Sequence, residues 1–106
     1  MPDYLFVYHG GKTPETQEDI DASMAAWGKW MSDHGAAFVD PGQPVGQSKT
    51  VSPDGIADNG GPNPTTGYTI LRADTIEAAC AIAASNPLVL DGSGSVEVAE
   101  IHPVTL

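Results

Sequence analysis

A chain of 106 residues has the length of one domain, residues 1–106, with enough apolar residues for a core but too few to cover both faces of a four-stranded sheet unaided. Its formal charge of −10, from four Lys and Arg against fourteen Asp and Glu, argues against nucleic acid and against an anionic membrane surface, both of which call for a basic face. No apolar run approaches the roughly 20 residues that span a bilayer, Met1-Pro2-Asp3 leads directly into a strand, and Cys80 is the single cysteine, so the expectation is a cytoplasmic protein without disulfide or thiolate metal cluster.

Tyr4 to Tyr8 is nearly continuous in large and β-branched residues, which predicts a strand covered on both faces. Gly10-Gly11 breaks it. Thr13 or Thr16, with Pro14 at a permitted first-turn position, opens a helix whose acidic Glu15, Glu18, Asp19 and Asp21 suit its positive end. The spacing Ile20, Met24, Trp27, Met31, His34 predicts one buried stripe, and Gly35 a stop. Ala36 to Asp40 reads as the second strand. From 41 to 67 the chain is loop, with a short hairpin in which Thr50-Val51 and Ile56-Ala57 flank a Pro53-Asp54-Gly55 turn. A loop of that length in a compact domain serves function or moves. Tyr68 to Ala73 is the third strand. Asp74 and Glu77 form a capping box for a helix that turns Ile76, Ala79, Cys80 and Ala83 inward and ends at Asn86-Pro87. Ser95 to Val104 is the last strand, with Pro103 near its end.

The order β-α-β-β-α-β points to a ferredoxin-like α+β sandwich with an antiparallel sheet. In that topology His9, Asp40, the 41–67 loop with Asp54 and Asp58, and the start of the third strand near Tyr68 gather at one end of the sheet. An imidazole, carboxylates able to orient it, a phenol and a loop able to close are the parts of an acid–base site. The bland alternative is a strand-end histidine hydrogen-bonded to backbone. His34 reads as a satisfied core residue and Cys80 as an inert buried thiol. Trp27 belongs to the core, while Trp30 beside it is free to wall a pocket. The three scattered histidines make no H-x-x-x-H or H-x-H pair, so no metal is expected, and DNGG and DGSG read as turns instead of calcium loops.

Strand one ending in YHGG, a helix with WGKW and a closing DHG, a second strand turning at DPG, the passage IADNGGP, then GYTILRADTIEAACAIAASNP and VEVAEIHPV together resemble the YCII-related family, in particular its DGPF-type branch. The resemblance covers the whole chain and implies a small homodimer whose two sheets meet face to face as a dimeric α+β barrel. The tract matching DGPF is degenerate here, Asp58-Asn59-Gly60-Gly61-Pro62 followed by Asn63. The resemblance also implies a histidine early in helix one and an aspartate beyond strand two as a catalytic pair. This chain has no histidine in that helix before His34, and Asp40 alone matches the second partner.

Three readings follow. The first is a homodimeric module that binds a small molecule in a pocket walled by Tyr8, Trp30 or Tyr68. The second is a cofactor-independent lyase or isomerase in which His9, with Asp40 or Asp58, performs acid–base chemistry on a small carbonyl or lactone substrate. The third is a structural or interaction protein with a filled interior. None of the three requires a cofactor.

Overall fold

Alternation along the first strand decides the layers of the fold. In β1 (Asp3–Gly10) the side chains of Tyr4, Phe6 and Tyr8 are buried, whereas Leu5, Val7 and His9 point to the opposite face and stay half-buried. The computed structural model describes residues 1–58 and 63–104. β1 is central: it pairs antiparallel with β5 (Thr65–Arg72) on one side and β6 (Gly94–Glu100) on the other, and β5 pairs in turn with β2 (Phe38–Asp40). The order β2-β5-β1-β6 is that of a ferredoxin-like α+β sheet, the architecture expected from the sequence.

The helix-facing side of this sheet carries the core. Phe6 and Leu71 are fully buried there, joined by Tyr4, Tyr8, Trp30, Ala73, Ala79 and Ala83. Trp30 organises the packing: its ring meets Phe38 at 5.2 Å and Trp27 at 5.7 Å in edge-on geometry, and Tyr8 meets Trp27 the same way at 5.3 Å. Such contacts are worth about 0.5–1.5 kcal/mol each beyond the area they bury. The indole N–H of Trp30 donates to the Ile82 carbonyl at 3.1 Å, so its one polar group is satisfied inside the core.

α1 (Gln17–Asp33) begins at Thr16, whose hydroxyl accepts from the Asp19 amide, and Pro14 lies ahead of the helix. Its buried face departs from the expected stripe. Met24 is 70% exposed and Ile20 38%, while Trp30 is the buried residue. Only the C-terminal half of the helix reaches the core, through Trp27, Trp30 and Met31, so the same periodicity runs on into solvent. α2 (Ile76–Ala84) is capped by Thr75, one position after the expected Asp74, and it buries Ala79 and Ala83 but leaves Ile76 and Cys80 exposed. Asn86-Pro87 does not simply end that helix. Asn86 caps a further turn, α3 (Pro87–Leu90), with Pro87 in the first position, where a missing N–H costs nothing.

The 41–67 segment is partly ordered against the sheet. Val45 N–H donates to Thr66 O, Tyr68 N–H to Gln43 O, and Pro44 bridges Gly67, so residues 43–45 extend the β5 edge beyond β2. The hairpin expected around Pro53-Asp54 is present as β3 (Lys49–Ser52) and β4 (Gly55–Asp58), a separate two-stranded sheet exposed along its whole length. The DGPF-like tract, residues 59–62, lies outside the described residues.

Candidate functional site

A cleft of about 590 Å³ opens between the β1–α1 turn, the C-terminal half of α1 and residues 41–45. Its apolar wall is built from Tyr8, Trp27, Met31 and Leu88, and its rim from Lys12, Thr13, Gln43 and Thr66. Each wall has a local cause. Tyr8 falls on the helix-facing side of β1 by strand alternation. Trp27 and Met31 are four apart on α1 and so share a face. The 41–45 segment turns because Asp40 Oδ1 accepts from the Gly42 N–H at 2.9 Å, an Asx turn, and because Gly42 holds φ +76° where a Cβ would collide with the Tyr68 carbonyl.

Beneath the cleft lies a directional hydrogen-bond chain. The Thr69 hydroxyl donates to the Pro41 carbonyl at 2.9 Å, so the 2.6 Å contact between Thr69 Oγ1 and the Tyr8 phenol has the phenol as donor. Burial pushes the Tyr8 phenol up to about 12, against Thr69 and Asn86, which pull it down. Asn86 has no solvent exposure. Its Oδ1 accepts from the Leu88 amide at 2.9 Å, and its Nδ2 has no partner in hydrogen-bond geometry among the described residues.

The residues expected to form an acid–base site have separate partners. His9 projects from the opposite sheet face to Tyr8, with Nδ1 3.2 Å from the Pro64 carbonyl and Nε2 3.1 Å from Glu97 Oε1 on β6. Either neutral tautomer satisfies one of these acceptors and the imidazolium satisfies both. Asp40 pairs with Ile70 and His9 with Thr65, five positions apart on β5. At about 3.3 Å per residue that is on the order of 16 Å along the strand, far beyond a hydrogen bond. Asp58 sits on the hairpin and accepts from Lys49 at 2.6 Å. The imidazole's carboxylate partner is therefore Glu97, which diagonal pairing across β1 and β6 brings within reach and which the sequence reading passed over.

Of the three aromatic residues expected to wall a pocket, Tyr8 lines the cleft with its ring. Tyr68 borders it, but alternation with the buried Gly67 and Thr69 sends its ring to the other face, beside Val7. Trp30 is 3% exposed and borders instead a groove of about 1000 Å³ between α1 and α3, where Asp19, Asp33 and Asp91 also stand. Trp27, assigned to packing alone, is the indole that faces the cleft. Thr69 carried a usable signal, since it is a polar residue on the buried side of an alternating strand. His34 bonds Ser85 at 3.2 Å, as a satisfied histidine should. No cluster of His, Cys, Asp and Glu able to hold a metal occurs among the described residues, and no helix among them is long and apolar enough to cross a membrane.

No protein-family model matches the chain, and no curated protein matches it. Among solved structures it is similar to the 5-chloro-2-hydroxyhydroquinone dehydrochlorinase TftG of Burkholderia phenoliruptrix, in complex with 2,5-dihydroxybenzoquinone. The two superpose with a TM-score of 0.56 at 16% identity, over 92% of this chain and 93% of the other. At that identity the likeness is one of fold, and it agrees with the ferredoxin-like α+β layout.

Proposed function

We propose that this chain is a YCII-related protein of the DGPF-type branch, a homodimeric module that binds a small molecule in the cleft beside Tyr8 and Trp27. The observation that carries the reading is the cleft itself: its volume of about 590 Å³ and its mixture of apolar wall and polar rim fit a small-ligand site. The complex of the dehydrochlorinase with 2,5-dihydroxybenzoquinone supports a small ring compound as the ligand class. Amide shifts in a two-dimensional NMR titration with 2,5-dihydroxybenzoquinone test this. Saturable shifts at Tyr8, Thr66, Gly67 and Leu88 are expected. Saturation with none of these amides moving would refute the site.

The homodimer is supported by the sheet face opposite the helices. Leu5, Val7 and Ile70 are half-buried there and Val39 is 47% exposed, an apolar surface that a second copy would cover. Sedimentation equilibrium at micromolar concentration is expected to give twice the chain mass, and Ile70→Asp to give the monomer. A wild-type monomer would sink this part of the reading.

The lyase or isomerase reading draws support from the same neighbour, whose activity is a dehydrochlorination. The acid–base residues it rests on, His9 with Asp40 or Asp58, have other partners in this chain, which leaves binding as the reading the geometry favours. Loss of any measured turnover in His9→Gln with unchanged cleft binding would reverse that preference.

A further inference from the structure

The charges around the cleft are not those of the chain at large. The protein carries fourteen Asp and Glu, yet none of the described residues lining this cleft is a carboxylate. The neighbouring groove between α1 and α3 has Glu15, Asp19, Asp33 and Asp91 along it, with Lys29, and Lys12 lines both spaces. Among the described residues the one charged side chain lining the cleft is Lys12, and it differs from the other cations of the chain. Lys29 is paired with Asp33, Lys49 with Asp58 and Arg72 with Asp3, each at 3.0 Å or less. Among the described residues Lys12 has no ion-pair partner. Asp91 is the carboxylate whose charge it affects, but Asp91 is held in its ionised form first by Ser93, with Lys12 the smallest contribution.

An ammonium without a partner, at the rim of an aromatic cleft cleared of carboxylates, selects for charge on whatever enters. The net charge of −10 opposes this weakly beyond about 8 Å, where salt screens exposed charges under physiological conditions, and the nearby carboxylates border the adjoining groove and not this cleft. Within that distance the nearest fixed charge dominates. The Gly10-Gly11 turn, with φ of +77° and +105°, precedes Lys12 directly, and Lys12 and Tyr8 line the same cleft.

Taking the small-molecule reading of this cleft as its premise, we infer that the ligand is a planar aromatic compound bearing an ionised oxygen, a carboxylate, phenolate or ionised hydroxyquinone, with Lys12 as its counter-charge. The ring packs against Trp27, Tyr8 and Leu88, and the anionic oxygen lies toward the rim that Lys12 shares with Thr13 and Thr66. A neutral ring of the same shape keeps the apolar contacts and loses the charge pairing.

Benzoate and benzamide form the deciding pair of probes, since they share shape and differ in charge. Each is titrated by NMR into the wild type and into Lys12→Gln and Lys12→Arg, at low salt and at about 0.5 M salt. The wild type is expected to prefer benzoate by about fivefold at low salt, the scale of an exposed ion pair. That preference falls to near parity in Lys12→Gln and at high salt and persists in Lys12→Arg, while benzamide binds all three proteins equally. Parity in the wild type, or a preference that survives Lys12→Gln, overturns the role of Lys12 and leaves the cleft intact. Absence of shifts at the cleft amides with either probe, and with 2,5-dihydroxybenzoquinone, overturns both this inference and the small-molecule reading.

Discussion

The phenol of Tyr8 and the hydroxyl of Thr69 meet at 2.6 Å on the helix-facing side of the sheet, one from β1 and one from β5. Because Thr69 spends its only proton on the Pro41 carbonyl, Tyr8 must supply the proton between them. The pair therefore ties the central strand to the start of the segment that forms the cleft's outer wall. Replacing Tyr8 by Phe keeps the ring against Trp27 and removes the donor. The expected cost is about 1 kcal/mol, a fall of roughly 4–8 °C in Tm for a domain of this size.

The same substitution changes the response to alkali. The Tyr8 phenol is raised from 10.0 to about 12 by burial. Below pH 10 it is protonated in folded and unfolded chains alike. Between pH 10 and 12 the unfolded chain releases the proton first, so stability is lost as pH rises through that window, by on the order of 2–3 kcal/mol in all. Urea unfolding at pH 8, 10 and 11 is expected to show a steeper loss for the wild type than for Tyr8→Phe. Parallel curves would mean that the phenol titrates normally in the fold.

Gly42 is a stricter constraint than its place in a loop implies. It holds φ +76°, and an added Cβ would run into the Tyr68 carbonyl. Gly42→Ala therefore combines left-handed backbone strain with a collision against main chain that cannot swing aside. A loss of about 2 kcal/mol or more is expected, with weakened binding in the cleft, since the Asp40 turn and the 43–45 pairing both depend on this residue. Gly46→Ala, where nothing lies within 4 Å, serves as the matched control and is expected to be nearly neutral.

The layout of strands and helices was legible because it rests on local patterns: the apolar run 4–8, the Pro53-Asp54-Gly55 turn, the glycine breaks. What local patterns miss is where an element stops touching its neighbours. Ile20 and Met24 continue the periodicity of Trp27 and Met31, yet α1 is longer than the surface it packs on, so they stand in solvent. The same limit hid the site. His9 and Asp40 both lie at strand ends, but β2 pairs only with Ile70 and Leu71 near the C-terminal end of β5, and three residues of β2 cannot carry Asp40 down to the level of His9. Adjacency in sequence also concealed that Tyr8 and His9 face opposite sides of one sheet. Lys12 gave no signal of its own, since what sets it apart is its place on a cleft whose described lining has no carboxylate, and that emerges only when the chain is folded.

The β3–β4 hairpin is expected to contribute almost nothing to stability. All eight of its strand residues are exposed, with Val51 at 75% and Ile56 at 69%, and an isolated two-stranded sheet is marginal in water. The ion pair between Lys49 and Asp58 across it is a surface contact. Replacing residues 49–58 by a short Gly-Ser linker is expected to leave Tm within about 2–4 °C of the wild type at equal protein concentration. A larger fall would show that Val51 and Ile56 are covered in solution, by a second copy or by closure over the cleft.

Asn86 is one of two buried polar residues among those described, with Thr69. It is fully buried, its Oδ1 caps α3 through the Leu88 amide, and Leu88 forms part of the cleft wall. Asn86→Ala removes the cap and is expected to cost about 1–3 kcal/mol. Asn86→Asp keeps an oxygen for the cap but exchanges the amide donor beside Tyr8 for a buried acid. Burial raises the folded-state pKa of such a carboxyl, so the folded form prefers the proton and stability returns as pH falls. Asn86→Asp is thus expected to be less stable than Asn86→Ala at pH 8 and to recover ground against it at pH 5, in urea titrations of both variants. If Asn86→Asp instead matches the wild type at pH 8, the amide donor is dispensable, and Asn86 serves the fold only as a helix cap.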